Sequence, residues 1–376
     1  MKLRAAAALA AAMGIGRFAY TPILPLMTAQ AGLSAASAAS LATANYLGYF
    51  AGALATVVRV PSRRVNRVAL VVLVGTLAGM PLAHGVGAWF VLRLVAGVAS
   101  AVVFVAAVNA RPGWGMSGVG AGIALSGLLD WSGWGTAWWL AAGMAAVLTA
   151  VAWGLEPGAP KLSDPPEMIG VGPRRPLGAG ESGSIQEPHK PRVSRSTRRV
   201  FAVLFAAYTL EGAGYIIAAT FLVAAISGPL GSTAWILVGL SAALSPALIK
   251  PRRYALPIAL AVQAAGIALP ALVDGSALAG VVLFGGTFIG IAATALKLGT
   301  DLGFPRAAAT LTAGYSAGQI IGPLIATPLL HNGYHQALLL AAAIVLTAAF
   351  TALAPLSRPR AATRTPPRTT PAAPAG

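Results

Sequence analysis

The stretch AAAALAAAMGIGRFAYTPILPLM, residues 5–27, decides the fold. A helix needs about 20 mainly apolar residues to cross the ~30 Å hydrocarbon core of a bilayer, and this stretch is long enough. Lys2 and Arg4 precede it in the manner of a signal peptide, but the apolar residues continue past any plausible cleavage site to Met27. We therefore predict a first transmembrane helix that is retained in the protein.

Similar apolar runs recur along the whole chain. Of its 376 residues, 57% are hydrophobic and only 9% are charged, against roughly 25% charged residues in a soluble domain. The runs lack the alternation of barrel strands, so helices remain as the way to satisfy the backbone in lipid. We predict an all-α membrane protein with twelve spans, at residues 5–27, 37–58, 68–84, 88–108, 113–129, 136–155, 200–226, 230–249, 254–273, 276–296, 307–330 and 336–354.

The distribution of basic residues predicts the topology. The formal net charge is +17, but nucleic-acid binding would need a basic patch on a soluble domain, and we identify no such domain. Lys and Arg instead occupy alternate loops, such as residues 59–67, 250–253 and 297–306, whereas residues 28–36, 227–233 and 331–335 contain none. Because cytoplasmic loops are enriched in Lys and Arg, we predict cytoplasmic N and C termini and an even number of helices.

A change in composition divides the chain into two halves. Residues 156–199 are rich in Pro, Gly, Ser and charged residues, a composition that cannot pack a core. We predict an N-terminal six-helix bundle at residues 1–155, a disordered cytoplasmic linker at 156–199, a C-terminal six-helix bundle at 200–356 and a disordered basic cytoplasmic tail at 357–376. Two similar halves are typical of transporters built from parallel repeats.

Three charged residues remain inside the predicted spans: Arg17, Arg93 and Glu211. A charge at the bilayer centre costs roughly 2.5–3.5 kcal/mol on insertion scales, so each should face protein or water. Arg17 and Glu211 lie about a dozen residues into the helices that open the two halves, ~18 Å deep at 1.5 Å per residue. Arg93 lies close to the outer end of its helix, where its side chain could snorkel.

These three residues are the predicted substrate and coupling site. Arginine stays protonated at any accessible pH, whereas a carboxylate in a low-dielectric site can exchange a proton. We therefore expect Glu211 to carry the coupling proton, and Arg17 either to hold an anionic group of the substrate or to pair with Glu211. The excess positive charge mildly favours an anionic small molecule. The alternative for each residue is a structural role, as a buried ion pair or a charge bonded to the backbone.

Other residues within the spans are candidates for lining the solute path or for gating. The lining candidates are polar or amphipathic: Tyr20, Asn45, Tyr46, Tyr49, Tyr208, Tyr215 and Gln319. The gating or packing candidates can remove bulk or kink a helix: Gly14, Gly16, Pro22, Pro25, Gly318, Gly322 and Pro323. Bonding between helices, interfacial anchoring or simple packing explains each of them equally well.

Two further patterns concern helix packing and the membrane surface. Gly-x-x-x-Gly spacings, which let helices approach closely, begin at Gly48, Gly75, Gly118, Gly286 and Gly318. Tryptophans near the predicted outer ends are interpreted as an interfacial belt: Trp89, Trp131, Trp134, Trp138 and Trp139.

The sequence excludes several kinds of chemistry. It contains no cysteine, which rules out disulfides, thiolate metal sites and cysteine nucleophiles. His84, His331 and His335 show no metal-ligand spacing, and no phosphate-binding loop, zinc-protease or serine-hydrolase motif is present. We therefore expect no metal, no cofactor and no enzymatic activity.

Several segments resemble the YbfB/YjiJ-type branch of the major facilitator superfamily. They are GIGRFAYTPILPLM at residues 14–27, ANYLGYFAGAL from residue 44, RLVAGVASA from residue 93, YTLEGAGYIIAATFL from residue 208, FGGTFIGI from residue 284 and GQIIGPL from residue 318. The resemblance implies the major facilitator fold, with twelve helices in two pseudo-symmetric bundles, alternating access, and a multi-pass protein of the bacterial plasma membrane.

The resemblance extends to single motifs, with one departure. Arg93 and Gly97 are similar to the superfamily's fourth-helix Arg-x-x-x-Gly pattern. Residues 318–323 are similar to the Gly-x-x-x-Gly-Pro antiporter pattern, although they lie on the eleventh predicted helix rather than the fifth. The acidic residue usual in the loop after the second helix is missing, since residues 60–67 carry only basic charges.

We predict a secondary active transporter that moves a small organic solute by alternating access, coupled to protons. Its partners would be the solute, protons and the lipid bilayer, with no nucleic acid, and we expect a monomer. One alternative is an exporter of cationic or lipophilic drugs, with Glu211 as the cation-binding group. Another is a membrane receptor or assembly protein that keeps the fold without transport. A scaffold has little reason to keep a titratable carboxylate at mid-depth, which favours transport.

Overall fold

A computed structural model describes residues 2–110, 113–131, 133–157, 194–224, 230–250, 252–332 and 334–354. Within these ranges the chain forms helices and no β-strand. The helices are α1 (Lys2–Gln30), α2 (Ala35–Val58), α3 (Arg63–Leu82), α4 (Val86–Ala110), α5 (Ser117–Ser126), α6 (Trp134–Ala152), α7 (Arg195–Ala224), α8 (Leu230–Leu248), α9 (Ala255–Leu272), α10 (Ala277–Asp301), α11 (Ala307–Ala326) and α12 (Tyr334–Leu353). Short 3₁₀ helices, Gly127–Trp131 and Thr327–Asn332, continue α5 and α11.

The all-helical prediction is confirmed, and nine of the described helices are long and apolar enough to cross a membrane. Those nine do not include α5, α8 or α11, so the number of twelve spans stays a prediction. The α5 region is rich in glycine, and α11 contains Thr, Ser and Gln, which lowers the hydropathy of both. Most of the predicted linker and all of the predicted tail, residues 158–193 and 357–376, lie outside the described residues.

The packing of the helices repeats with an offset of six. Helix α1 packs against α5 and α6, α2 against α4, and α3 against α4 and α6. The same pairs recur as α7 with α11 and α12, α8 with α10, and α9 with α10 and α12. This arrangement is typical of two parallel repeats. We call α1–α6 the N-terminal half and α7–α12 the C-terminal half.

The two halves meet mainly along two seams, α2 with α11 and α5 with α8. The offset of six converts one seam into the other, because α2 corresponds to α8 and α5 to α11. On the α5–α8 seam, the Trp235 indole N–H donates to the Ser126 hydroxyl at 3.1 Å. The helices that carry Arg17 and Glu211, α1 and α7, occupy equivalent positions in the two halves.

Glycines set equivalent close contacts within each half. In the N-terminal half, Gly118 and Gly122 of α5 pack against the backbone of α1. In the C-terminal half, Gly318 and Gly322 of α11 pack in the same way against α7. A Cβ atom added at Gly318 would lie 2.1 Å from the carbonyl oxygen of Thr209. These two Gly-x-x-x-Gly spacings are therefore used for helix packing.

The remaining spacings differ from one another. A Cβ at Gly48 would lie 1.9 Å from the Leu94 carbonyl oxygen, so α2 and α4 are in backbone contact there. A Cβ at Gly75 or Gly286 would meet no described atom within 4 Å. The first glycine of each of these two spacings is therefore not needed for close approach of helices. Such chance spacings are expected in a glycine-rich chain.

The prediction of an interfacial tryptophan belt is only partly correct. Trp139 is 49% exposed, as an interfacial residue should be. Trp138, by contrast, is fully buried, and Trp89 is buried with its indole N–H donating to the Met80 carbonyl oxygen at 2.9 Å. Both therefore pack against neighbouring helices instead of facing lipid, because the sequence does not show which face of α4 and α6 turns towards the protein interior.

Basic residues at the ends of α1 and α3 bind the end of α6. Arg4 donates to the Gly154 carbonyl oxygen at 3.2 Å, and Arg67 donates to the Trp153 carbonyl oxygen at 3.0 Å. Arg63 forms an exposed ion pair with a carboxylate oxygen of Glu156 at 3.3 Å. These basic residues therefore gather at one end of the helices. Their assignment to the cytoplasmic side stays a prediction.

Candidate functional site

Helix α1 is interrupted at its centre, beside Arg17. Residues Ala10–Ile15 form a π-helical turn, and the Thr21 amide bonds the Phe18 carbonyl, three residues back, at 3.1 Å. Pro22 has no amide hydrogen, so the regular hydrogen-bond ladder cannot continue through this point. The interruption leaves main-chain carbonyl groups available to side chains from other helices.

Arg93 on α4 binds this interruption. Its Nη1 and Nη2 atoms donate to the carbonyl oxygens of Gly16 and Arg17, each at 3.2 Å. Its guanidinium lies 4.8 Å from the centre of the Tyr20 ring, and the residue is only 2% exposed. The expectation that Arg93 could snorkel is wrong, because the freed carbonyls hold it inside the protein. Arg93 thus fixes the backbone that carries Arg17.

Arg17 is buried between the two halves. It is 3% exposed, and its Nη2 atom donates to the side-chain oxygen of Gln319 on α11. Its Nε and Nη1 atoms have no hydrogen-bond partner among the described residues. Its guanidinium lies 4.3 Å from the ring centre of Tyr49 and 5.4 Å from that of Tyr46. The Tyr49 side chain also approaches the guanidinium as a polar neighbour, but it does not meet hydrogen-bond geometry with Nε or Nη1. Arg17 therefore keeps unused donor capacity inside an aromatic enclosure.

A small void lies against Arg17 and is lined by both halves. Its volume is about 30 Å³, close to the space that one water molecule occupies. The lining includes Arg17, Tyr20 and Tyr46 from the N-terminal half, and Thr220 and Trp235 from the C-terminal half. An organic solute cannot fit without movement, so the structure has this site in a closed form.

Glu211 lies inside the C-terminal half, 1% exposed. Neither carboxylate oxygen has a hydrogen-bond partner among the described residues. The side chain of Gln263 on α9 approaches the carboxyl group, but its amide atoms do not meet hydrogen-bond geometry. The hydroxyl of Tyr315 on α11 is also buried without a described partner. Two helices thus place unpaired polar groups beside one buried carboxylate of α7.

The structure does not bring Arg17 and Glu211 together as an ion pair, since Arg17 binds Gln319 instead. Tyr208, Tyr215 and Tyr315 lie within electrostatic range of both residues. Their rings are clustered, with 4.7 Å between the centres of Tyr208 and Tyr315 and 5.9 Å between those of Tyr215 and Tyr315. Arg17 and Glu211 therefore share a layer of tyrosines.

The lining candidates fall into distinct places. Tyr20 and Tyr46 line the void, although the Tyr20 hydroxyl also donates to the Ala38 carbonyl oxygen at 2.9 Å. Asn45 donates to the carbonyl oxygen of Arg93 at 3.1 Å, which is a bond between helices. Tyr49 and Gln319 contact Arg17 directly, and Tyr208 and Tyr215 belong to the tyrosine layer. The proposed roles of these residues in a solute path stay predictions.

Most of the gating candidates lie at close contacts between helices. A Cβ atom at Gly14 would lie 2.3 Å from the Cα of Gly122, and one at Gly16 would lie 2.6 Å from the Leu73 side chain. Gly318 and Gly322 are the α11 contacts described above. Pro22 marks the end of the α1 interruption, whereas Pro25 and Pro323 lie inside continuous helical segments. Their role in gating stays a prediction.

Three residues of the site were not predicted from the sequence: Gln263, Tyr315 and Trp235. Gln263 is the single amide in the apolar helix α9, and that isolation was a usable signal. Tyr315 lies four residues before Gln319, on one face of α11, so the two could have been grouped by helical spacing. Trp235 gave no such signal, because its contact with Ser126 depends on how the halves meet.

Comparison with solved structures shows the fold. The human organic anion transporter MFSD10 (TETRAN) matches with a TM-score of 0.64 and 18% identity, over 93% of this chain and 99% of that chain. A mutant of the nucleoside transporter NupG matches with a TM-score of 0.58 and 14% identity, over 94% of this chain and 98% of that chain. Comparison with curated protein sequences gives no significant match.

A protein-family profile described as "Uncharacterised MFS-type transporter YbfB" matches residues 9–353. This range includes Arg17, Arg93 and Glu211 and nearly all of the described helices, and it confirms the resemblance in the quoted segments. The chain is therefore a multi-pass membrane protein and a transporter rather than an enzyme. It belongs to the YbfB-type family of the major facilitator superfamily.

Proposed function

We propose that this transporter moves a small organic anion coupled to protons. In this mechanism Arg17 binds the anionic group and Glu211 carries the proton. Alternating access would open the closed void to one side of the membrane and then to the other. The void is too small for a solute and is lined by both halves, which supports a step in which the halves separate on one side.

The proposal rests on one observation: the Glu211 carboxylate is buried and neither of its oxygens has a hydrogen-bond partner among the described residues. A buried carboxylate without a cation or hydrogen-bond donor is costly to keep charged, and a bound proton removes that cost. Arg17 lies outside ion-pair contact, so Glu211 has no fixed counter-ion among the described residues. Since unpaired ionisable groups inside a membrane protein usually serve function, proton coupling is the role that fits.

The anionic character of the solute rests on Arg17. Arginine offers five N–H donors, and in Arg17 the Nε and Nη1 atoms are buried without a partner among the described residues. A carboxylate or a similar anion satisfies such donors better than a neutral group. The two structural neighbours are an organic anion transporter and a nucleoside transporter, so the fold serves small organic solutes of different charge.

We further infer the arrangement in the membrane. The two halves are six-helix bundles of residues 1–155 and 200–356, which gives twelve spans. They are joined by a cytoplasmic linker at 156–199 and followed by a basic tail at 357–376. We expect a monomer in the bacterial plasma membrane. Both termini are assigned to the cytoplasm, because Arg4, Arg63 and Arg67 gather at one end of the helices and Lys and Arg are enriched on the cytoplasmic side.

The test is proton movement in proteoliposomes with a pH-sensitive dye inside. Candidate anionic metabolites are added outside, and a solute-dependent pH change identifies the substrate. Glu211→Gln should abolish this pH change, and Arg17→Ala should impair solute uptake. Glu156→Gln is the matched control, because it removes an exposed carboxylate at the basic end of the helices. Coupling that is unchanged in Glu211→Gln would disprove the proton role.

A second candidate function is export of cationic drugs, favoured by the aromatic surroundings of Glu211. Tyr208, Tyr215 and Tyr315 are buried around this carboxylate, and aromatic rings with an acidic group suit an organic cation. Drug efflux that requires Glu211 but persists in Arg17→Ala would favour this candidate. Loss of anion uptake in both variants would favour the first.

A further inference from the structure

The contact between Arg17 and Gln319 crosses from one half to the other. Arg17 lies at the interruption of α1, and Gln319 lies on α11, which belongs to the C-terminal half. Both are almost fully buried, at 3% and 0% exposure. Only the Nη2 donor of Arg17 is used by Gln319, and the Nε2 atom of Gln319 has no described partner. The contact therefore satisfies only part of each side chain.

We propose that the Gln319 side-chain oxygen occupies the place of a substrate carboxylate oxygen, and that the substrate displaces it. This rests on the proposed function, in which Arg17 binds an anion. A neutral amide offers one oxygen to the guanidinium, whereas a carboxylate offers two in the geometry of the guanidinium fork. The charge-assisted pair is the stronger one, so exchange of the amide for a carboxylate is favourable.

The surroundings of Arg17 define the direction from which the carboxylate approaches. The rings of Phe18, Tyr46 and Tyr49 lie 5.5, 5.4 and 4.3 Å from the guanidinium carbon. Aromatic rings that cover the faces of a guanidinium leave its edges for hydrogen bonding. The Nε and Nη1 atoms, which have no partner among the described residues, lie at these edges. An in-plane carboxylate would therefore use donors that Gln319 leaves free.

Displacement of Gln319 would also let substrate binding change how the two halves are held together. Gln319 belongs to α11, and the α2–α11 seam joins the two halves. While Gln319 is bound to Arg17, the halves are connected at the centre of the protein. A substrate that takes over Arg17 removes this connection and replaces it with one that depends on the solute. Gln319 thus acts as a positioning residue that holds the empty site closed.

The first test needs no substrate and measures thermal unfolding in detergent. Gln319→Glu places a carboxylate on the chain at the position proposed for the ligand, so the melting temperature should rise by several degrees. The rise should disappear when Arg17→Gln is added. Gln263→Glu is the reference, because Gln263 is equally buried, at 0% exposure, and lies beside Glu211 rather than an arginine; its melting temperature should fall.

A fall in Gln319→Glu as large as that in Gln263→Glu would overturn the proposal. So would a rise that survives Arg17→Gln, because the carboxylate would then be stabilised by another group. Gln319→Leu serves as a second variant of similar size that cannot accept a hydrogen bond. It should leave the protein folded and should not reproduce the rise.

The second test uses acetate and benzoate as carboxylate probes of the same proteins. Either probe should raise the melting temperature of the wild type and of Gln319→Leu. In Gln319→Glu, the probe concentration for half of this effect should rise by about tenfold or more, because the site is already filled. Equal responses of wild type and Gln319→Glu, or no response of the wild type, would overturn the proposal.

These outcomes are separate from those that test the proposed function. If stabilisation by Gln319→Glu depends on Arg17 but Glu211→Gln still moves protons, the carboxylate site is correct and the coupling residue is wrong. If proton coupling depends on Glu211 but Gln319→Glu binds the probes like the wild type, coupling stands and the role of Gln319 is wrong.

Discussion

Arg306 donates a hydrogen bond of 2.6 Å to the carbonyl oxygen of Val58, the last residue of α2. The same Nη1 atom also contacts the carbonyl oxygen of Val57. Carbonyl groups in the last turn of a helix lack intrahelical partners and carry partial negative charge, so an arginine binds them well. Arg306 directly precedes α11 and has a left-handed backbone, with φ of 55°. It therefore joins the two halves at the basic end of the α2–α11 seam.

We expect Arg306→Ala to open the basic end of the α2–α11 seam more often. The chain contains no cysteine, so a single cysteine introduced at Ala42, in the wall of the void, can be labelled with a maleimide without background. Its labelling rate should rise severalfold in Arg306→Ala. Arg64→Ala is the control, because it removes one positive charge from the first turn of α3. Equal rates in both variants would show that Arg306 does not hold the seam.

We expect Gly48→Ala to destabilise the protein and Gly75→Ala to have little effect. Both glycines begin a Gly-x-x-x-Gly spacing, but a methyl group at Gly48 would lie 1.9 Å from a backbone oxygen of α4. Overpacking of this kind costs about 1–3 kcal/mol. At Gly75 no described atom lies within 4 Å. Thermal unfolding in detergent measures both, and a loss of similar size at Gly75 would contradict the packing described for α2 and α4.

We expect Arg93→Lys to loosen the interruption of α1. A lysine is a single point charge and cannot donate to two carbonyl oxygens with the geometry of a guanidinium. Amide hydrogen exchange should therefore accelerate in the peptide that contains Arg17, measured by mass spectrometry. Arg67→Lys is the control, because Arg67 also binds a backbone carbonyl but lies at the exposed end of α3. Unchanged exchange around Arg17 would mean that Arg93 does not position it.

We expect the effects of Trp235→Phe and Ser126→Ala on the stability of the protein to be coupled. Their hydrogen bond, 3.1 Å long, crosses the α5–α8 seam, and a buried bond of this kind contributes about 0.5–1.5 kcal/mol. The double variant should lose less stability than the sum of the two single variants. Additive losses would show that the two residues act independently and that the bond does not hold the seam.

Much of the fold could be predicted from residues near one another in the chain. The run at residues 5–27 and the later apolar runs gave helices at nearly the observed positions, because length and hydropathy are local properties. The interruption of α1 was harder to predict. Pro22 marked its end, but the π-turn at Ala10–Ile15 and its support by Arg93 depend on α4 packing alongside.

The sequence predicted which charged residues belong to the candidate site, but it did not predict their hydrogen-bond partners. Arg17, Arg93 and Glu211 were found because charges are rare in apolar spans, and all three are buried. Their partners depend on contacts between helices far apart in the chain. Arg93 therefore binds backbone rather than solvent, and Arg17 binds Gln319 rather than Glu211. Gln263 and Tyr315 were not predicted, although the isolation of Gln263 in the apolar helix α9 and the helical spacing of Tyr315 and Gln319 could have identified them.

At the α5–α8 seam, Gly120 and Gly239 bring main chain against main chain. A Cβ atom at Gly120 would lie 2.1 Å from the Ala243 nitrogen, and one at Gly239 would lie 2.2 Å from the Ala124 nitrogen. The distance between the halves at this seam is thus set by contacts between their main chains. Engineered bulk at either glycine would wedge the halves apart, which offers a way to trap one shape of the transporter for imaging.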